Sequence, residues 1–191
     1  LVTTIDNDSY AYMSDTASVD SAGDIDIQAQ NKSMAASSGG VFSMSGSSSV
    51  GATVAYNYIN SDTKAFIGDT RLADVRGSYY DAESGVWKNA DGESIVFSGT
   101  RREPASGSRI SADDLNVGAY SAQAAVSVIA AGAVPNTGSG GSGGSSFTLE
   151  GSVGINTINE KASAFIDGYS SDTDAGKKID VDGDVNVDTI D

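Results

Sequence analysis

The chain lacks both cysteine and histidine, and its 191 residues include only two prolines and one tryptophan. Disulfides, zinc sites built from Cys or His, cysteine nucleophiles, Ser-His-Asp triads and histidine general bases are therefore excluded. Aromatic residues make up only 7% of the chain, although 39% of it is hydrophobic. We therefore expect a core of small and β-branched side chains, in a chain whose length suits one domain.

Basic residues are also scarce, because 11 Lys and Arg stand against 26 Asp and Glu, which gives a formal charge of −15. This charge repels phosphate backbones and anionic headgroups, so we expect no nucleic-acid partner. No apolar run approaches the ~20 residues that a membrane-spanning helix needs, and we expect no direct membrane insertion. The first residues, LVTTIDNDSYAYMSD, contain no leader-like segment. Together with the strand-like last residues, they indicate a segment of a longer chain.

Two sequence blocks recur three times along the chain. The first block occupies residues 5–13 (IDNDSYAYM), 59–67 (INSDTKAFI) and 158–166 (INEKASAFI). Each copy begins with Ile and ends with Ala, an aromatic residue and a large aliphatic residue. The second block occupies residues 23–27 (GDIDI), 113–117 (DDLNV) and 183–187 (GDVNV). Its alternation of aliphatic and polar residues is typical of a half-buried strand.

Short repeated strands separated by Gly, Asp, Ser and Asn turns predict an all-β fold. A unit with one apolar face is not stable alone, but stacked copies bury a continuous core and pair their backbones with the copies above and below. We therefore predict a parallel β-solenoid, with a β-sandwich as the competing fold. Asn57 and Asn156 occupy equivalent positions, either as stacked amides at a turn or as exposed turn residues.

The second repeat is interrupted by an insertion at residues 77–108, which holds the only tryptophan, Trp87. Six basic and six acidic residues lie between Arg71 and Arg109, so the rest of the chain carries all of the net charge. An Asp-Gly turn between two strand-like runs predicts a β-hairpin or small β-subdomain that projects from the solenoid. The Gly/Ser-rich residues 135–146 predict a flexible loop, either natural or an artificial linker.

The stretch VGATVAYNYINSDTKAFIGD (residues 50–69), followed by the GDI-type strands, resembles the repeats of the filamentous haemagglutinin and leukotoxin-like family of large bacterial surface and secreted proteins. The resemblance covers the chain apart from the insertion and the Gly/Ser-rich stretch. It implies a right-handed parallel β-helix stalk, export from a bacterium to the cell surface or the medium, and adhesion as the usual role. Because these repeats are scaffold, it implies no catalytic residues.

The insertion supplies the candidate ligand-binding residues, which are Tyr79, Tyr80, Trp87, Lys88, Arg101 and Arg102. The aromatic rings are suited to stacking on sugars or to the apolar centre of a protein contact. The basic side chains are suited to acidic glycans or carboxylates. Alternatively, the aromatic residues form a small core of the insertion against the solenoid wall.

Asp180, Asp182 and Asp184 alternate with apolar and small residues, which predicts that they lie on one face of a strand. Such a row of carboxylates is a candidate calcium site, although its spacing is not that of an EF-hand loop. The alternative is a solvated outer face that discourages aggregation through the sheet edge. We expect no other cofactor.

These features predict a non-enzymatic structural stalk and adhesion segment, whose insertion binds a glycan or protein of a host or neighbouring cell. A first alternative is a structural protomer that self-associates end to end through the strand edges of the solenoid ends. A second is a fragment of a carbohydrate-active β-helix enzyme, since such enzymes act through Asp, Lys or Arg. Asp74, Asp81 and Asp91 are the carboxylates in question.

Overall fold

The computed structural model describes residues 1–45, 49–97, 109–135, 148–167 and 178–190. Residues 98–108 of the insertion and residues 136–146 of the Gly/Ser-rich stretch lie outside this part of the chain. Within it, every element except one short 3₁₀ helix is a strand, so the fold is all-β as predicted. The prediction of one continuous solenoid segment over residues 1–191 stays a prediction.

The strands are numbered in chain order. They are β1 (Val2–Ser14), β2 (Val19–Asp20), β3 (Ile25–Ser45), β4 (Ser49–Gly68), β5 (Tyr79–Asp81), β6 (Val86–Lys88), β7 (Arg109–Ala112), β8 (Leu115–Pro135), β9 (Thr148–Ile166), β10 (Lys178–Val181) and β11 (Val185–Ile190). The 3₁₀ helix, Thr70–Asp74, follows β4.

Three sheets each contain one strand from each sequence repeat. Their strand orders are β1-β4-β9, β2-β7-β10 and β3-β8-β11, so the second repeat supplies the central strand every time. The pairing of β7 with β2 and with β10 is parallel, with Ile110 beside Val19 and Ile179. β11 also pairs with β8 in parallel, with Val187 beside Val117. The sheets are therefore parallel, which is the arrangement that stacked repeats require.

Side-chain contacts across β1, β4 and β9 follow the ungapped alignment of the repeats. Asn60 contacts Asp6, and the Asp62 amide contacts Asp8, each pair 54 positions apart. Asn57 contacts Asn156 across an offset of 99, which is also the offset between the second and third copies of the first block. Because neighbouring positions keep a constant offset, these strands also run parallel.

The described chain divides into two compact units. The first consists of Leu1–Asp6, Ser33–Asn60 and Gln123–Asn159, and the second of Asn7–Lys32, Ser61–Ala122 and Glu160–Asp191.

The second unit contains an apolar core of small and branched side chains. Its buried members are Ile27, Ala29, Ala65, Ile67, Ile110, Leu115, Val117 and Ala119. This cluster is aliphatic, as expected of a core of small and β-branched side chains, although the aromatic ring of Phe66 is also fully buried.

The interior of the first unit contains a hydrogen-bonded amide. Asn57 is fully buried, and its Nδ2 donates to Asn156 Oδ1 and to the Val126 carbonyl oxygen, both at 2.9 Å. The two asparagines do stack, but they lie within β4 and β9 rather than at a turn. Burial of a polar side chain is tolerated here because its donors are paired.

Candidate binding groove beside the inserted hairpin

A buried ion pair holds the start of the inserted region against β4. Lys64 has no exposed surface, and its ammonium lies 3.1 Å from the Asp62 carboxylate. It also donates hydrogen bonds to the carbonyl oxygens of Leu72, at 3.2 Å, and Val75. Burial lowers the pKa of Lys64, although Asp62 partly offsets this effect. The lysine therefore joins β4 to the 3₁₀ helix and the residues that follow it.

The Asp62 carboxylate receives two further hydrogen bonds from neighbouring segments. The Tyr10 hydroxyl donates at 3.0 Å, and the Gly77 backbone N–H donates at 2.7 Å. Burial and the adjacent Asp62 charge raise the pKa of Tyr10 far above its usual range. These contacts fix residue 77, where the insertion begins.

The insertion opens with an antiparallel hairpin of β5 and β6, in which Tyr80 pairs with Trp87. Lys88 of β6 forms an ion pair with Asp81 of β5. Hydrogen bonds from Lys88 and Ser84 lower the pKa of Asp81 to about 2. A second turn follows at the Asp-Gly dipeptide, where Gly92 has a φ of 83° and Lys88 bridges to Ser94.

Trp87 packs the hairpin against β9. Its ring centroid lies 4.7 Å from that of Phe165 and 5.7 Å from that of Tyr80. The indole N–H donates to Asp167 at 3.3 Å. Phe165 continues a stack with the equivalent residues of the other repeats, Phe66 and Tyr12. Trp87 therefore makes the contact with the repeat strands that is expected if the aromatic residues form a small core of the insertion.

A groove of about 280 Å³ remains between the hairpin and β9. We call it the aromatic groove, and it is lined by Ser78, Tyr79, Tyr80, Trp87, Ala162, Ser163, Ala164, Phe165 and Thr189. Tyr79 and Tyr80 are 42% and 54% exposed, so their rings are open to solvent. The structure thus brings the three predicted aromatic residues together at one groove.

Lys88, the predicted basic residue that the structure describes, does not line this groove. Lys88 is bound to Asp81, and hydrogen bonding to this carboxylate raises the pKa of Lys88. Arg101 and Arg102 lie outside the described residues. Among the described side chains that line the groove none is cationic, and the described cation beside it is Lys161, whose ammonium lies 5.7 Å from the centroid of the Tyr79 ring.

The predicted row of aspartates is not a single strand face, and this expectation was wrong. Asp180 lies in β10 and pairs with Arg109 at 3.2 Å, whereas Asp182 and Asp184 lie in the bend before β11. In the bend, the Asp182 N–H donates to the carbonyl oxygen of Ala112, at the end of β7, and the Gly183 N–H donates to that of Asp113. Over the described ranges, no three acidic side chains form a group able to hold a metal ion.

A wider hollow of about 450 Å³ lies on the polar face of β3, β8 and β11. Its polar side chains bond to one another, since the Asn116 amide donates to the Asp26 carboxylate at 2.8 Å and the Asn186 amide donates to Asn116 Oδ1 at 2.9 Å. These contacts form a ladder along the equivalent positions of the second sequence block. The hollow thus lies beside side chains that the stacking of the repeats brings into contact.

The sequence did not predict that residues of β9 and β11 would line the groove. It also did not predict a role for the Ser78 hydroxyl. Phe165 was visible only as the aromatic position of the first sequence block, with no sign that Trp87 would cover it. Lys64 was equally hidden, although it is the only lysine at its position in the three copies.

Comparison of the chain with protein-family models, with curated proteins and with solved structures finds no match. The resemblance to filamentous haemagglutinin repeats therefore stays a prediction that rests on the residues quoted for it. Among the residues that the structure describes, no helix is long and apolar enough to cross a membrane.

Proposed function

We propose that the chain is a segment of a right-handed parallel β-helix that serves as the stalk of a bacterial surface or secreted protein, with its insertion as the adhesion site. The observation that carries this proposal is the strand order. In each of three parallel sheets, the strand of the second repeat lies between those of the first and third. The right hand and the bacterial surface location rest on the resemblance of the repeats.

The insertion is the proposed recognition element because it is built differently from the repeats. It interrupts the second repeat, pairs antiparallel, and presents the exposed rings of Tyr79 and Tyr80. Its base is held by Lys64 and Asp62, so these rings are presented from an ordered segment. Aromatic side chains that are exposed but well supported are typical of binding surfaces.

The test compares the chain with a variant in which a short turn replaces residues 77–108. Circular dichroism first establishes that both are folded β proteins. We expect the chain, but not the variant, to bind to host or neighbouring cells and to their isolated glycans or proteins. Equal binding by both folded proteins would place recognition outside the insertion. Absence of binding by either would refute the adhesion role and leave only the scaffold.

A second candidate function is end-to-end self-association, which the exposed apolar residues of β11 favour. Val187 is 45% exposed, whereas its neighbour in register, Val117, is 1% exposed. β11 is also an edge strand, whose outer backbone groups are open to another strand. A strand of a second copy of the chain would cover Val187 of β11 in the way that β11 covers Val117 of β8.

Sedimentation velocity at increasing protein and salt concentrations tests this candidate. The net charge of −15 opposes association, so larger species should increase as salt screens the repulsion. Val187→Lys should abolish them, whereas Val96→Lys, at a 91% exposed position of the insertion, should not. A monomer under all conditions would refute self-association.

A further inference from the structure

An unpaired hydroxyl lies at the aromatic groove. Ser78 is only 1% exposed, it lines the groove, and its Oγ has no hydrogen-bond partner within the described residues. A buried polar atom without a partner costs about 1–3 kcal/mol, and such atoms are uncommon in native proteins. Because this Oγ has almost no accessible surface, a ligand hydroxyl in the groove would pair with it once the side chains that cover it shift.

The rings at the groove provide apolar faces near this hydroxyl, although Tyr80 and Trp87 are not coplanar. Trp87 lies edge-on to Tyr80, with an interplanar angle of 61°. Trp87 is also held by Phe165 and by its hydrogen bond to Asp167, so its ring is fixed before any ligand arrives. A fixed ring loses little conformational entropy on binding, which favours affinity.

The groove-lining residues that the structure describes carry no charge, and five of them carry hydroxyls: Ser78, Tyr79, Tyr80, Ser163 and Thr189. Lys161 is not a lining residue, but its ammonium lies 5.7 Å from the centroid of the Tyr79 ring and donates to the Gly77 carbonyl oxygen at 3.1 Å. A charged group that contacted only the lining side chains would be desolvated without a compensating partner. The chemistry favours a neutral molecule with an apolar face and several hydroxyls.

The size of the groove limits the ligand further. Its volume of about 280 Å³ is at the lower end of the ~300–1,000 Å³ typical of small-molecule sites. It has room for one sugar ring. The remaining sugars of a longer glycan would extend into solvent past the exposed Tyr79 and Tyr80.

We propose that the aromatic groove binds one neutral pyranose unit of a glycan. The C–H face of the sugar stacks on the exposed ring of Tyr80, beside Trp87, because the face of an aromatic ring carries negative charge density that attracts C–H groups. A sugar hydroxyl pairs with Ser78 Oγ. This inference rests on the proposed recognition role of the insertion and gives it a ligand class.

Trp87 is the only tryptophan of the chain, so its fluorescence reports on this groove. The 191-residue chain is titrated with a panel of neutral and acidic oligosaccharides while tryptophan fluorescence is recorded, and isothermal calorimetry provides a second readout. We expect saturable binding of one class of neutral glycan. Tyr80→Ala should weaken it about tenfold, which corresponds to about 1.4 kcal/mol.

Ser78→Ala is the sharper variant, because it removes a hydroxyl that has no protein partner. It should weaken glycan binding severalfold while leaving the thermal midpoint of unfolding unchanged or raised. Val96→Ala, in the same insertion but outside the groove, is the matched control and should bind as the wild type does.

Binding that neither Tyr80→Ala nor Ser78→Ala weakens would overturn the assignment of the groove. Binding of acidic glycans alone would overturn the neutral ligand class. A fluorescence change that tracks protein concentration without glycan would show that a second copy occupies the groove instead. If the insertion still mediates adhesion to cells or proteins in these cases, the proposed function stands while the pyranose site fails.

Discussion

At the scale of single residues, the buried Lys64 ammonium is held by groups from two segments of the chain. Asp62 lies on the same strand, whereas the carbonyl oxygens of Leu72 and Val75 belong to the region that follows it. Transferring an ammonium group from water into the protein interior costs free energy. This cost is offset only when hydrogen-bond acceptors surround the group. Lys64 therefore helps to position the inserted region, together with the Gly77–Asp62 hydrogen bond and the packing of Trp87 on Phe165.

Replacing Lys64 by Met should lower the free energy of unfolding by about 3 kcal/mol, because the Asp62 carboxylate stays buried without its cation. Urea denaturation measures the change. Lys32→Met, at an exposed position of β3, is the matched control and should change stability by less than about 0.5 kcal/mol. Equal stability of the Lys64→Met variant and the wild type would contradict the buried ion pair.

Tyr10 should make the stability of the protein fall at high pH. In the unfolded chain its hydroxyl ionises near pH 10, but burial and Asp62 raise the pKa of Tyr10 in the folded state. Above pH 10 the unfolded state therefore binds fewer protons than the folded state, and the free energy of unfolding decreases as pH rises. The decrease should be shallower in Tyr10→Phe, as measured by urea denaturation from pH 8 to about pH 11. Identical slopes for Tyr10→Phe and the wild type would contradict the raised pKa of Tyr10.

At the scale of elements, the hairpin of β5 and β6 is the part of the insertion with regular pairing. The sequence predicted a turn at Asp91 and Gly92, and a turn with positive φ lies there. The pairing of β5 with β6 was not predicted, because Tyr79–Asp81 is too short for a strand pattern to be recognised. Trp87 of this hairpin packs on Phe165, and a contact between residues so far apart in the sequence is not readable from a local pattern.

The hairpin should lose the contribution of its ion pair in acid. The pKa of Asp81 is lowered to about 2, below its value near 3.9 in an unfolded chain. The stabilisation is therefore present above about pH 4 and is lost as pH falls toward 2. NMR titration of the Asp81 carboxyl should give a midpoint near 2, and Lys88→Met should raise it toward the ordinary value. A midpoint unaffected by Lys88→Met would exclude the ion pair.

At the scale of the whole chain, the repeats determine which residues become neighbours. Residues at equivalent repeat positions lie side by side, as Tyr12, Phe66 and Phe165 do in one stack. The second repeat is covered on both sides, whereas β11 of the third repeat is an edge strand. Equivalent substitutions should therefore have unequal effects.

Val117 and Val187 are paired in register but differ in burial, at 1% and 45% exposed. Val117→Ala should cost about 2 kcal/mol of unfolding free energy, since it leaves a cavity in the core. Val187→Ala should cost less than about 1 kcal/mol, because the side chain already contacts solvent. Chemical denaturation compares the two variants at a concentration where both are monomeric. Equal costs would mean that β11 is covered in solution.

The sequence by itself determined the strand pairing, because three copies of the same pattern have their lowest energy when equivalent residues stack and bury one apolar core. It also determined the character of that core, since few aromatic residues were present to fill it. Only the tertiary structure decided where the insertion lies. The burial of Lys64, the packing of Trp87 on Phe165 and the unpaired Ser78 hydroxyl depend on contacts between distant segments, which no local period encodes.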